Sequence, residues 1–195
     1  MLNHVVIFEA RGGSDKGPYG YRKDSMPIVK ALQERKWTAE VIFYSDEQRG
    51  EIYRYTLERA SAYISRINPG NLDDETGYFQ MLRELVGHGV EGLPHPDAMI
   101  AYGAKNALVK LTDTHLVPKD TFAYYDFETF KSSLRANLMK GIRVLKQNRG
   151  STGEGIWRVA FADPEMMKTG DLAPLDARVI CTEARDNHTE ERVLG

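Results

Sequence analysis

Between residues 143 and 157 the chain reads RVLKQNRGSTGEGIW, a lysine on an alternating apolar stretch followed by a glycine-rich turn. These residue types in this order suit the holding of an anion. Glycine permits positive φ and close backbone approach, so N–H groups at Gly150, Gly153 and Gly155 could point at an oxyanion. Ser151 and Thr152 add hydroxyls, and Arg149 can add a bidentate contact to phosphate. On a strand, Ile142, Val144 and Lys146 share one face, so apolar neighbours can bury the Lys146 stem while its ammonium reaches into a cleft. Lys131, Arg135, Lys140, Arg143, Lys146 and Arg149 fall within one stretch that holds no acidic residue, in a chain of net charge −2. That local positive field suits a polyphosphate. By composition alone the same stretch also reads as a hairpin tip with solvated charges, because glycine–serine turns are common.

Residue order separates this segment from two familiar phosphate loops. In a P-loop the lysine follows the glycines as G-x-x-x-x-G-K-[ST], and that string is absent here. In a protein kinase the glycines precede the strand that bears the lysine. Here the lysine comes first.

The elements that must position these groups follow from periodicity. Val5, Val6, Ile7 and Phe8 form a short apolar run that suits a strand buried on both faces. Asp24 or Ser25 can cap a helix with Pro27 in its first turn, ending near Arg35. A strand over 39–44, a helix over 47–60, a strand over 62–67 and a helix over 76–88 follow. This β-α-β-α-β order predicts a parallel α/β layer. A helix over 102–111 leads to a strand over 121–125. A helix capped by Asp126 then carries the stripe Phe127, Phe130, Leu134 and Leu138. Strands over 142–147 and 156–160 flank the glycine turn as a hairpin. Asp163 and Pro164 start a short helix, and 178–182 forms a further strand. The domain boundary is placed near residue 113.

Composition excludes several classes. With 195 residues, 42% hydrophobic and 28% charged, the chain can build a core and is not globally disordered. Its charge gives no reason to expect nucleic acid or an anionic membrane as partner. The start of the chain lacks the pattern of a signal peptide or a membrane span, which predicts a cytoplasmic protein. A single cysteine, Cys181, allows no internal disulfide and, lacking a basic neighbour in sequence, is expected to be buried and inert. His4, His88, His95, His115 and His188 show no paired metal spacing, so no metal site is expected among these residues. Glu183, Asp186, Asn187, Glu190 and Glu191 read as a solvated tail. Arg11 and Arg66 lie where an α/β layer binds ligands and could bind an acceptor carboxylate, but an exposed arginine beside a turn is the plainer reading.

A strand lysine followed by a glycine-rich turn resembles the ATP-grasp superfamily, which includes D-alanine–D-alanine ligase, biotin carboxylase and glutathione synthetase. The resemblance extends upstream. Tyr102, Gly103, Ala104, Lys105, Asn106 and Ala107, with Leu116-Val117-Pro118 about three helical turns beyond, look like the family's first ATP-binding lysine and the segment leading into its nucleotide region. Lys105 fits that place better than Lys110. The chain is most similar to an uncharacterised bacterial branch, so the family name supplies no substrate.

The resemblance implies an α/β fold: a Rossmann-like pre-ATP-grasp layer over 1–112, which helps hold the acceptor, and an incomplete α+β ATP-grasp domain over 113–195. It implies an ATP-dependent ligase that activates a carboxylate as an acyl-phosphate for attack by an amine or thiol. Lys146 would contact phosphates and Lys105 would support them. Arg149, Gly150, Ser151, Thr152, Gly153 and Gly155 would cover the triphosphate. The implied ligands are ATP, Mg and a small carboxylate, with self-association open. In the family the Mg ligands and adenine hinge come later, so they are expected beyond residue 195, and this portion alone is expected to be inactive. A non-catalytic nucleotide- or partner-binding module and a phosphoryl transferase of the same shape stand as alternatives.

Overall fold

The structure, a computed structural model, describes residues 3–12, 15–68, 70–150 and 155–194. It is mixed α/β and divides into two compact units, Met1–Ala104 and Lys105–Gly195, a division earlier in the chain than residue 113.

The first unit is a parallel sheet of four strands. β1 (His4–Glu9), β2 (Thr38–Phe43), β3 (Ala62–Ser65) and β4 (Glu91–Leu93) lie in the order β2-β1-β3-β4. Val5 to Phe8 are fully buried because β1 lies between two strands and under helices on both faces. Val5 and Ile7 pack with Val29 of α1 (Ser25–Glu34). Val6 and Phe8 pack on the opposite face with Ile52 of α2 (Arg49–Arg59) and with Tyr78, Leu82 and Leu85 of α3 (Thr76–Gly87). Asp24 stands at the N-cap of α1 but its side chain makes no cap; its carboxylate receives Arg22 and Arg66 instead. Burial raises the Asp24 pKa and the two guanidiniums lower it, the net direction being down.

β4 has no counterpart in the sequence reading. Its EGL run carries little apolar signal, and Gly92 is dictated from across the sheet, since a Cβ there would lie 2.5 Å from the Tyr63 hydroxyl. The helix expected over 102–111 is two pieces, the end of α4 (Pro96–Tyr102) and the short α5 (Ala107–Lys110). The backbone N–H of Lys105 and that of Asn106 turn to the carbonyl and side-chain oxygen of Asn148, at 3.2 and 2.8 Å, and do not continue the helical ladder.

In the second unit, β5 (Arg143–Lys146), β6 (Ile156–Phe161), β7 (Arg178–Glu183) and β8 (Thr189–Val193) form an antiparallel sheet in chain order. α6 (Phe127–Leu138) lays Leu134 and Leu138 against Val159, Phe161 and Val179. The expected cap is present: the Asp126 carboxylate accepts the Thr129 N–H at 2.7 Å. Phe127, expected in the core stripe, is 68% exposed. Asp163 caps the short 3-10 turn Pro164–Lys168 by accepting from Glu165 N–H.

Two expectations fail here. Residues 121–125 belong to no strand among the described residues. The charged stretch read as a tail is the edge strand β8 with its turn. Glu190 pairs with Arg192, Glu191 with Arg178, and Asp186 accepts the His188 N–H. A charged strand suits a sheet edge, where exposed sides must stay soluble and unpaired.

Candidate functional site

The second unit holds a cleft of about 680 Å³ beside the edge strand β5, within the size range of small-molecule sites. Lys105, Lys146 and Gly155 line it, together with the apolar and aromatic side chains Leu108, Val109, Phe122, Tyr124, Tyr125, Phe130, Ile142, Val144 and Trp157. The aromatic wall is braced: Tyr124 meets Phe130 edge-on at 5.1 Å, and the Tyr124 hydroxyl accepts from the Asn137 side chain at 2.6 Å. The unpaired segment 121–125 therefore supplies a wall rather than a strand.

The three cations on the lining differ in what they already hold. Arg143 donates from Nε to the Asn137 carbonyl at 2.6 Å and from Nη1 to Asp120 at 2.5 Å, leaving Nη2 buried without a partner. Asp120, hydrogen-bonded and attracted by Arg143, has its carboxyl held below the usual range. Lys105 donates to the Gly150 carbonyl at 2.7 Å. The Lys146 ammonium makes no hydrogen bond or ion pair among the described residues. Its apolar row stands on the open side of the strand, with Ile142 49% and Val144 54% exposed, so the Lys146 stem is not buried as the alternation suggested.

Asn148 is the residue that sequence reasoning missed. Its carbonyl and side-chain oxygen hold the 105–106 backbone, and Lys105 holds Gly150, so three hydrogen bonds fasten the start of the glycine turn beside the cleft. At the other end, Gly155 has φ +65° and a Cβ there would lie 2.8 Å from Gln147 Cδ. The positive φ is what favours glycine there, since the exposed Gln147 side chain could move aside. Arg149 is exposed and, like Gly150, is not on the cleft lining among the described residues. Ser151, Thr152 and Gly153 lie outside the described residues.

The other sequence candidates resolve as packing. Arg11 lies over the Phe43 ring at 4.8 Å, and Arg66 pairs with Asp24. Cys181 is half-buried, and burial together with Glu190 pushes its thiol up. Alkylation of Cys181 is therefore expected to be slower than that of a free thiol at mildly alkaline pH, and to become fast on unfolding. Equal rates in native and denatured protein, followed with a chromogenic thiol reagent, would contradict this. Among the described residues no group of three or more His, Cys, Asp or Glu side chains could hold a metal ion, and no helix is long and apolar enough to cross a membrane.

Comparison of the chain with protein-family models, with curated proteins and with solved structures finds no match in any of the three.

Proposed function

We propose that the second unit binds ATP, as the nucleotide-holding portion of an ATP-grasp-type ligase that activates a small carboxylate as an acyl-phosphate for attack by an amine or thiol. The observation that carries the binding half is the Lys146 ammonium, which has no partner among the described residues and stands on a cleft with an aromatic wall. An aromatic wall suits a base, and an unengaged ammonium suits a phosphate. The buried, unpartnered Nη2 of Arg143 offers a further donor to a ligand acceptor. The ligase half rests on the resemblance of residues 102–157 to the superfamily.

The residues fit a nucleotide better than they fit its metal. Asp120, the carboxylate on the described lining, is engaged by Arg143, so no step through Mg is assigned to these residues. For that reason a nucleotide-binding module without chemistry of its own is the second reading. ATP supplies the phosphoryl group when bound; these residues hold and orient it.

Titration of the full chain with ATP, followed by calorimetry and by Trp157 fluorescence, is expected to show saturable binding that weakens as salt is raised. GTP, ADP and inorganic triphosphate serve as comparison ligands. Binding of triphosphate as tight as ATP would remove the role given to the aromatic wall, and no binding of any of them would overturn the proposal.

A further inference from the structure

Two segments distant in sequence meet at one side of the cleft. Lys105, Asn106, Leu108 and Val109 come from the entry and first turn of α5, while Lys146 and Asn148 come from the end of β5 and the residues just after it. Asn148 ties the two together through its backbone and its side chain. Its carbonyl accepts the Lys105 N–H at 3.2 Å, and its Oδ1 accepts the Asn106 N–H at 2.8 Å across 42 positions of chain. Lys105 and Asn106 are in turn the acceptors that open α5, since their carbonyls receive the N–H groups of Leu108 and Val109 at 3.0 and 3.1 Å. Holding 105 and 106 therefore also holds the turn that carries two apolar residues of the lining.

A lysine stem has many rotamers, and much of that freedom is lost when its ammonium is held. At Lys105 the backbone end is fixed by Asn148 and the ammonium end by the Gly150 carbonyl at 2.7 Å. The side chain is thus confined at both ends before any ligand arrives. A phosphate that takes the ammonium exchanges one acceptor for another, without having to order the stem or the 105–106 backbone as well. Asn148 is exposed, whereas Lys105 and Asn106 are half-buried. An exposed asparagine adds little to a core, so its two bonds to one short segment speak for placement rather than packing.

We propose that Asn148 is a positioning residue that acts through Lys105. By holding the 105–106 backbone it sets the Lys105 ammonium where a phosphate of the bound nucleotide can take it from the Gly150 carbonyl. The role toward phosphate rests on the nucleotide reading of the cleft; the placement of Lys105 does not. The competing account is that the two bonds only close the chain at this point and leave the ammonium indifferent to them.

The first test needs no ligand. The native full chain is acylated briefly with the N-hydroxysuccinimide ester of acetate, and modification at each lysine is read by mass spectrometry. Asn148→Ala keeps the carbonyl and removes Oδ1, and is expected to speed acylation of Lys105 by about three- to tenfold, the scale of one lost hydrogen bond, while Lys146 stays within about twofold. Asn148→Asp keeps an acceptor for the Asn106 N–H and is expected to keep Lys105 slow. An unchanged Lys105 rate in Asn148→Ala overturns the proposal, and so does a rise shared by the other lysines of the second unit, which marks a loosened fold. The second test is a double-mutant cycle on ATP affinity by calorimetry. Asn148→Ala alone is expected to weaken ATP by about three- to tenfold, and to cost nothing further in a chain that already carries Lys105→Ala. Equal losses in both backgrounds would mean that Asn148 does not act through Lys105, and would overturn the proposal. If the parent chain binds no ATP, the role toward phosphate falls together with the nucleotide reading, while the acylation rates still decide whether Asn148 places Lys105.

Discussion

Lys146→Ala is expected to weaken ATP binding by about 10- to 100-fold, the loss that follows from removing one charge-assisted phosphate contact. Lys105→Ala should cost less. The two lysines line the same cleft, but the Lys105 ammonium already donates to the Gly150 carbonyl, so a phosphate must displace that bond. Lys146 has no such bond to give up among the described residues. Truncating Lys146 should therefore leave the folded state almost unchanged, since the side chain is exposed and its ammonium has no partner among the described residues. The two effects separate cleanly: affinity measured by calorimetry falls, while the thermal midpoint without ligand stays where it was. Lys146→Arg keeps the charge but places a planar fork where a compact ammonium stood, and should recover only part of the affinity. If Lys146→Ala binds ATP as tightly as the parent chain, the cleft is not the nucleotide site.

What was legible in the sequence follows the strength of local signals. β1 reads as a strand because Val5 to Phe8 is a short run apolar on both faces, the pattern that suits a strand inside a covered sheet. α6 reads as a helix because Asp126, Leu134 and Leu138 fall where a cap and a core stripe must fall. The lysine and glycines around 143–155 stood out because glycine and charge are conspicuous on an apolar alternation.

The features that stayed hidden are made by residues distant in sequence or by edges. β4 and β8 are edge strands with short or charged sequences; the first leaves no local signal and the second reads as a tail. The helix over 102–111 was reasonable by propensity, and it breaks because Asn148, 42 positions away from Asn106, takes its backbone donor. Residues 121–125 have strand-like composition, yet a strand needs a partner, and β5 pairs with β6. The apolar row of Ile142 and Val144 was visible, but alternation cannot say which face of a sheet is covered; α6 covers the other one.

Leu138→Ala is expected to destabilise the second unit by about 2–5 kcal/mol, the usual loss for a leucine cut back to alanine in a packed interior. Leu138 is 1% exposed and packs with Leu134, Val159 and Phe161. Against a total stability of about 5–15 kcal/mol for a typical domain, that is a large share. The loss should extend to the cleft, because α6 does more than fill the core. The Asn137 carbonyl next to Leu138 receives Arg143 Nε, and Arg143 in turn holds Asp120 on the lining. The Asn137 side chain donates to the Tyr124 hydroxyl in the aromatic wall. A helix that loosens at its last turn thus releases both the cationic edge and the aromatic wall. Urea unfolding followed by fluorescence should show an earlier transition in Leu138→Ala, and ATP affinity should fall even where most molecules remain folded. Leu175→Ala, at a position 54% exposed, is the control and should change stability by less than about 0.5 kcal/mol. If Leu138→Ala shifts the transition and leaves ATP affinity intact, the cleft does not depend on α6 for its shape, and the Arg143–Asn137 contact is incidental to binding.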